Sequence, residues 1–264
     1  MPAPIRPTTY PAVMPTVDPG KLARSALVRV PRLYDALAGG NRYLLMHRLG
    51  RVHEAEFRVL PDVVDGDSPL VLDVGGNVGQ SVLSTLTVFP HARIHSFEPN
   101  PANHRALQRL ARRFPGVTLE PFGLGADPGE HDLFIPVYNG RAMSGLVSFD
   151  EEAAAGWLTP ETLYGFDPLR LEIRRTTASI KRLDDLALDP AVVKIDVQGL
   201  ETAVIEGGMA TIRRCRPVII AETVRADDPA MALLAPLGYR RLELHDGRLI
   251  EARDERANQV LLAD

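Results

Sequence analysis

The sequence predicts an α/β protein: a doubly wound, mostly parallel sheet of about seven strands with an antiparallel edge strand, under an N-terminal helical cover. Three observations predict it. Short apolar runs alternate with amphipathic stretches along most of the 264 residues. Three of those runs close on an acid, at Asp73, Asp196 and Glu222. The first runs into a glycine-rich turn, Leu70-Val71-Leu72-Asp73-Val74-Gly75-Gly76-Asn77-Val78-Gly79-Gln80, which reads as strand, tight loop and helix.

Composition sets the outer bounds. With 45% hydrophobic and 24% charged residues, the chain is an ordinary globular protein, one domain with embellishments. A net charge of −4 leaves no overall footprint for nucleic acid. The one cysteine, Cys215, excludes an intrachain disulfide framework and reads as a buried small hydrophobe. No apolar run reaches membrane-spanning length, and no basic-then-apolar leader pattern opens the chain, so a cytoplasmic protein without a membrane span is expected.

Taken in order, residues 1–20 carry six prolines and predict a flexible arm. Residues 21–60 turn helical, interrupted at Gly39-Gly40-Asn41, and predict the cover. Glu54 and Glu56 at its end face either the ligand or solvent. Residues 61–264 form the main domain. Its second strand, 93–97, leads through Glu98-Pro99-Asn100 to a helix at 102–114. A third strand, 117–122, ends in Gly123-Leu124-Gly125, either an adenine-facing backbone or the glycines of a tight turn.

Alternating runs at 131–138, 142–149 and 171–180 follow. The excursion at about 138–175 breaks the repeat and reads as a lid or specificity element. Trp157 within it reads as core or interface packing, or as a stacking platform. Strands four and five, 191–196 and 217–222, flank two helices. Runs at 239–245, 249–252 and 259–262, with an Asp246-Gly247 turn, close the sheet edge.

The first loop carries the binding chemistry. Gly75, Gly76 and Gly79 let backbone approach a ligand, Asn77 stands where a dinucleotide fingerprint has its middle glycine, and the N–H groups at Gln80 and Ser81 open a helix. Asp73 would repel a pyrophosphate and welcome a cation such as the amino group of S-adenosylmethionine. Glu98 lies 19 residues beyond Gly79, close to the ~20 expected of an acid that accepts both hydroxyls of a ribose. Its alternative is a charge at a helix N-terminus before Pro99 and Asn100.

With these pieces in place, the chain resembles the FkbM family of S-adenosylmethionine-dependent O-methyltransferases. The matching segments are Leu72 through Gly79, Phe97-Glu98-Pro99-Asn100-Pro101, and Val193-Lys194-Ile195-Asp196-Val197-Gln198-Gly199-Leu200-Glu201 with Glu206-Gly207-Gly208. The third segment is the most diagnostic. The family usually carries Ala where Gly76 stands and Glu where Gln198 stands. The resemblance implies a class I methyltransferase sheet, S-adenosylmethionine as cofactor and methyl transfer to a hydroxyl of a sugar or glycosylated metabolite.

Asp196 and Glu222 end neighbouring strands at the edge where ligands bind and are the candidate catalytic pair. They act either as base and orienter or jointly as oxygen ligands of a Mg²⁺ ion. Asp196 as a cap on the following helix is the bland alternative. His47, His53, His95 and His131 are poorer bases. The expected partner is a hydroxylated small molecule or saccharide, with a homodimer left open. The competing functions are an NAD(P)-dependent oxidoreductase, from the same glycine loop and Glu98, and a non-catalytic Rossmann-type binding module.

Overall fold

Eight strands form one sheet in the computed structural model, which describes residues 25, 40–222, 224–253 and 258–263. The proline-rich arm at 1–20 and most of the cover expected before residue 40 lie outside the described residues. Strands β1 (Leu70–Val74), β2 (Arg93–Phe97) and β3 (Val117–Glu120) come first. Next come four that form a second sheet: β4 (Gly123–Leu124), β5 (Gly129–Tyr138), β6 (Arg141–Ala142) and β7 (Leu171–Lys181). The main sheet resumes with β8 (Val192–Ile195), β9 (Val218–Glu222), β10 (Tyr239–His245), β11 (Arg248–Glu251) and β12 (Asn258–Ala263).

The main sheet runs β11-β10-β12-β9-β8-β1-β2-β3. Pairs among β3, β2, β1, β8 and β9 are parallel, while β12 lies antiparallel between β9 and β10. Strand order therefore reverses between β1 and β8, the switch point at which an open α/β sheet leaves a crevice. The main sheet has eight strands against about seven expected, and the expected pairing of β10 with β11 turns about Asp246 and Gly247, both with positive φ (48° and 78°). The stretch at 142–149, expected as an alternating strand, keeps only Arg141–Ala142 as strand. Beyond Ala142 it touches β5 through Met143 N–H, which donates to the Pro136 carbonyl at 2.8 Å, and through the Phe134–Ser148 bridge. The second sheet is dominated by the long antiparallel ladder of β5 with β7.

Helices α1 (Gly40–Arg48), α2 (Leu60–Val63), α3 (Gln80–Val88) and α4 (Pro101–Arg113) precede the second sheet. Helix α5 (Glu151–Gly156) lies within it, and α6 (Glu201–Glu206), α7 (Met209–Cys215) and α8 (Pro229–Leu234) follow. Helix α4 starts where the Asn100 side chain accepts from Ala102 N–H at 3.1 Å with Pro101 in the first turn, a pairing that satisfies one helix-end donor and removes another. Leu72, Val74, Ile195 and Ile219 face α6, α7 and α8. Val71, Ile94, Val192 and Ile220 face the other layer, built from α2, α3, α4 and the fully buried Phe57. Burial on both faces is why these strands read as continuous apolar runs.

Exposure removes only the core reading of Trp157, whereas Cys215 differs from its expected burial. Trp157 is 40% exposed at the end of α5. Cys215 is only half-buried, its Sγ 3.5 Å from Asp189 Oδ1, because it closes the last turn of α7 before β9 begins. No helix among the described residues is long and apolar enough to cross a membrane.

Phe57 joins the segment before α2 to the sheet with no exposed surface. Phe57→Ala should cost about 3–5 kcal/mol of stability, read as a lower urea midpoint.

Candidate functional site

At the switch point three loops meet: 75–79 after β1, 98–100 after β2 and 196–200 after β8. Gly75 and Gly76 both donate to the Phe97 carbonyl, at 2.9 and 3.0 Å, folding the first loop back over β2. Gly75 has φ 89°, and a Cβ there would lie 1.9 Å from the Asp196 carbonyl oxygen, so only glycine lets β1 and β8 part this closely. Asn77, also left-handed at φ 46°, turns its N–H onto Glu98 Oε2 at 2.6 Å. Asn100 N–H reaches Glu98 Oε1 at 2.7 Å. One buried carboxylate thus holds both loops.

The loops border a cleft open to solvent, lined by Gly75, Asn77, Glu98, Pro99, Asp196, Gln198 and the 144–149 stretch among others. An adjoining cleft is lined by Leu124, Asp127, His131, Ile180 and others, and shares Phe149 and Leu200 with the first.

Beneath the cleft a polar row crosses the sheet. Lys194, Asp73 and Ser96 are in register on β8, β1 and β2, so their side chains share one face. Ser96 Oγ donates to Asp73 Oδ2 at 2.7 Å. Burial pushes the Asp73 carboxyl up to about 6, against the opposing pull of Ser96, Lys194 and His53. Burial likewise pushes Glu98 up to about 7, although the Asn100 and Asn77 N–H groups favour its charged form.

Lys194 is 1% exposed and its Nζ lies 3.3 Å from Glu54 Oε2. Burial would raise Glu54, but His53, 3.0 Å away, and Lys194 outweigh it and bring its pKa down to about 2. Glu54 is therefore half of a largely buried ion pair that ties the segment before α2 to β8, which settles the choice between ligand-facing and solvated in favour of neither.

Asp196 follows β8, its N–H donating to the Val74 carbonyl at 2.9 Å, and Glu222 closes β9. Gln198, left-handed at φ 55°, places its Nε2 3.0 Å from Asp196 Oδ1 and 3.4 Å from Glu222 Oε2. Burial and the neighbouring Asp196 raise the Glu222 pKa. Among the described residues no three His, Cys, Asp or Glu side chains are grouped to hold a metal.

The structure brings Gly75, Asn77, Glu98, Pro99 and Asp196 to the cleft wall and Leu124 to the adjoining one. Asp73, Gln80, Ser81 and Asn100 are buried behind the loops. Gly76 and Gly79 pack within the first loop against Ser96 and Leu110, and Gly123 packs against Ile180 and Pro99. Glu222 reaches the site through Gln198. His95 pairs with Glu120 at 2.8 Å, and His131 Nε2 bonds the Asp127 carbonyl at 2.9 Å. His47 and His53 bond Thr87 and Ser84 of α3, each at 2.8 Å. Sequence reasoning missed Lys194 as part of the site, though a lysine inside an apolar strand was a usable signal. It also missed the 144–149 wall, whose apolar–polar alternation imitates a strand.

The family model described as the methyltransferase FkbM domain matches residues 73–241. "Methyltransferase 1" of Beauveria bassiana (strain ARSEF 2860) is 26% identical over 150 residues, which are 53% of this chain and 59% of that protein. The crystal structure of methyltransferase FkbM from Methylobacillus flagellatus KT matches with a TM-score of 0.50 at 17% identity, over 79% of this chain and 48% of that one. The likeness to that structure is one of fold, and the chain spans less than two thirds of either relative.

Two outcomes follow from the buried acids. The fold raises Glu98 from 4.5 to about 7, so the folded protein holds a proton that the unfolded chain releases between those values. Stability should therefore fall as pH rises from about 4.5 through 7. Urea unfolding at pH 5 and 8 should show Glu98→Gln destabilised at pH 5 but losing less on the way to pH 8. A Cβ on Gly76 would lie 2.1 Å from Ser96 Oγ, so Gly76→Ala should displace that hydroxyl from Asp73 and cost about 1–3 kcal/mol. Because both changes remove one hydrogen bond, adding Ser96→Ala should cost little more in the same melts.

Proposed function

This chain belongs to the FkbM methyltransferase family, and from that premise we propose that it methylates a hydroxyl of a sugar or glycosylated metabolite, with S-adenosylmethionine as donor. The observation that carries the reading is Glu98, a buried carboxylate at the cleft wall after β2, held rigid by the Asn77 and Asn100 N–H groups. Each carboxylate oxygen has a lone pair to spare beyond those bonds, so Glu98 accepts from both hydroxyls of a ribose. The loop at Gly75 and Asn77 receives the amino-acid end, with Asp73 behind it as a source of negative potential. The apolar walls of Leu124, Phe149 and Leu200 take the adenine.

Bound S-adenosylmethionine supplies an electrophilic methyl group on a sulfonium. The protein's part is to align an acceptor oxygen with it and to take the hydroxyl proton. Asp196, at the cleft wall, receives that proton, and Glu222 orients the acceptor, the two held together by Gln198. Carboxylates and an amide at the rim suit a partner rich in hydroxyl donors, which supports a saccharide acceptor.

Calorimetric titration of S-adenosylhomocysteine tests the reading. Wild type should bind in the micromolar range and Glu98→Ala about 10- to 100-fold more weakly, the worth of hydrogen bonds to a charged group. Binding of NADH in preference to S-adenosylhomocysteine would sink it in favour of an oxidoreductase. With binding established, a screen of sugar acceptors for methyl transfer tests the substrate class.

A further inference from the structure

Two carboxylates at adjoining strand ends invite a divalent cation, yet the groups around Asp196 and Glu222 are arranged otherwise. Carboxylates only accept hydrogen bonds, so the Gln198 amide must turn its NH₂ toward them, and its Nε2 lies 3.0 Å from one and 3.4 Å from the other. A Mg²⁺ ion takes oxygen ligands, and here a donor stands between the candidate ligands. One level down the same strand face, the ammonium of Lys194 is almost wholly buried and paired with Glu54 at 3.3 Å. Its positive charge also favours the ionised forms of Asp73 and Glu222.

We propose that Asp196 and Glu222 operate as a metal-free pair, with the Gln198 amide occupying the place of a bridging cation and Lys194 supplying the fixed positive charge beneath. The proposal deepens the methyltransferase reading and rests on it for the role of the pair. Gln198 is then a positioning residue: it fixes the spacing of two acids that would otherwise repel each other. Replacing its amide by a carboxylate turns a donor into an oxygen ligand and adds a charge, which builds the cation site that the wild type lacks.

Mn²⁺ binding, followed by electron paramagnetic resonance and calorimetry, tests this without an acceptor. Wild type should bind Mn²⁺ no more tightly than Asp196→Asn. Gln198→Glu should bind at least about tenfold more tightly than wild type, since ligand charge governs affinity for such ions. A melting curve confirms that the variant is folded, and Gln198→Asp serves as the second variant if it is not. Micromolar Mn²⁺ binding by wild type that Asp196→Asn abolishes would overturn the proposal, because the amide would then be presenting its oxygen to a metal. Folded Gln198→Glu and Gln198→Asp proteins that gain no affinity would overturn it as well. S-adenosylhomocysteine titrated into the same wild-type sample reads the methyltransferase assignment separately, so a failure of one is not mistaken for a failure of the other.

Discussion

The bonds from Asn77 and Asn100 N–H to the Glu98 carboxylate, at 2.6 and 2.7 Å, are the constraint on which the site depends. They join the loop after β1 to the start of α4, two segments that no regular ladder connects. Both donors are backbone groups that would otherwise be left without partners at a loop and a helix end, and a buried carboxylate meets that need with charge-assisted bonds. The same burial makes the ionised form costly, so the group that organises the cleft is also one whose charge responds to pH near neutrality. A cation-bearing ligand entering the cleft would favour the charged form and so couple binding to proton release.

Behind that wall, charge is compensated in layers. Ser96 answers one oxygen of Asp73, and Lys194 faces Glu54 from an element that precedes the sheet in sequence. A buried ion pair of this kind adds little net stability, since desolvation offsets most of the attraction, but breaking one side leaves an uncompensated charge. The pair therefore serves to fix where the segment at 53–57 sits, and Phe57 and His53 complete that docking, the latter through Ser84. Glycine at position 76 belongs to the same arrangement. The space that a Cβ at position 76 would need is taken by the Ser96 hydroxyl, so Gly76 and the buried Asp73–Ser96 bond are one packing solution.

The second sheet gives the cleft its outer wall. Its long β5–β7 ladder is held to the main sheet where β4 branches from the end of β3, and at Gly207, where an added Cβ would lie 2.0 Å from the Gly125 carbonyl oxygen. From this platform the 144–149 stretch reaches back across the switch point and lines the cleft beside Glu98 and Asp196. The N–H of Tyr164 donates to Ser25 Oγ at 2.8 Å, linking the inserted region to the amino-terminal part of the chain.

The sequence by itself determined the α/β class, the strands β1, β2, β3, β8 and β9 and the helices between them, because burial on both faces writes unbroken apolar runs and each turn needs its glycine or cap. It also placed Asp73, Glu98, Asp196 and Glu222 at the carboxyl ends of strands, since those positions follow from chain direction alone. Tertiary structure decided what the acids touch. Lys194 and Glu54 are far apart in sequence, and the Asp196–Gln198–Glu222 bridge depends on parallel pairing of strands with two helices between them. The 144–149 stretch shows the same limit: alternation of apolar and polar residues describes which side chains are buried, and a wall against a cleft buries them as regularly as a sheet does. Local pattern carries local backbone preference and burial, while long-range contacts between polar side chains leave no periodic trace in the chain.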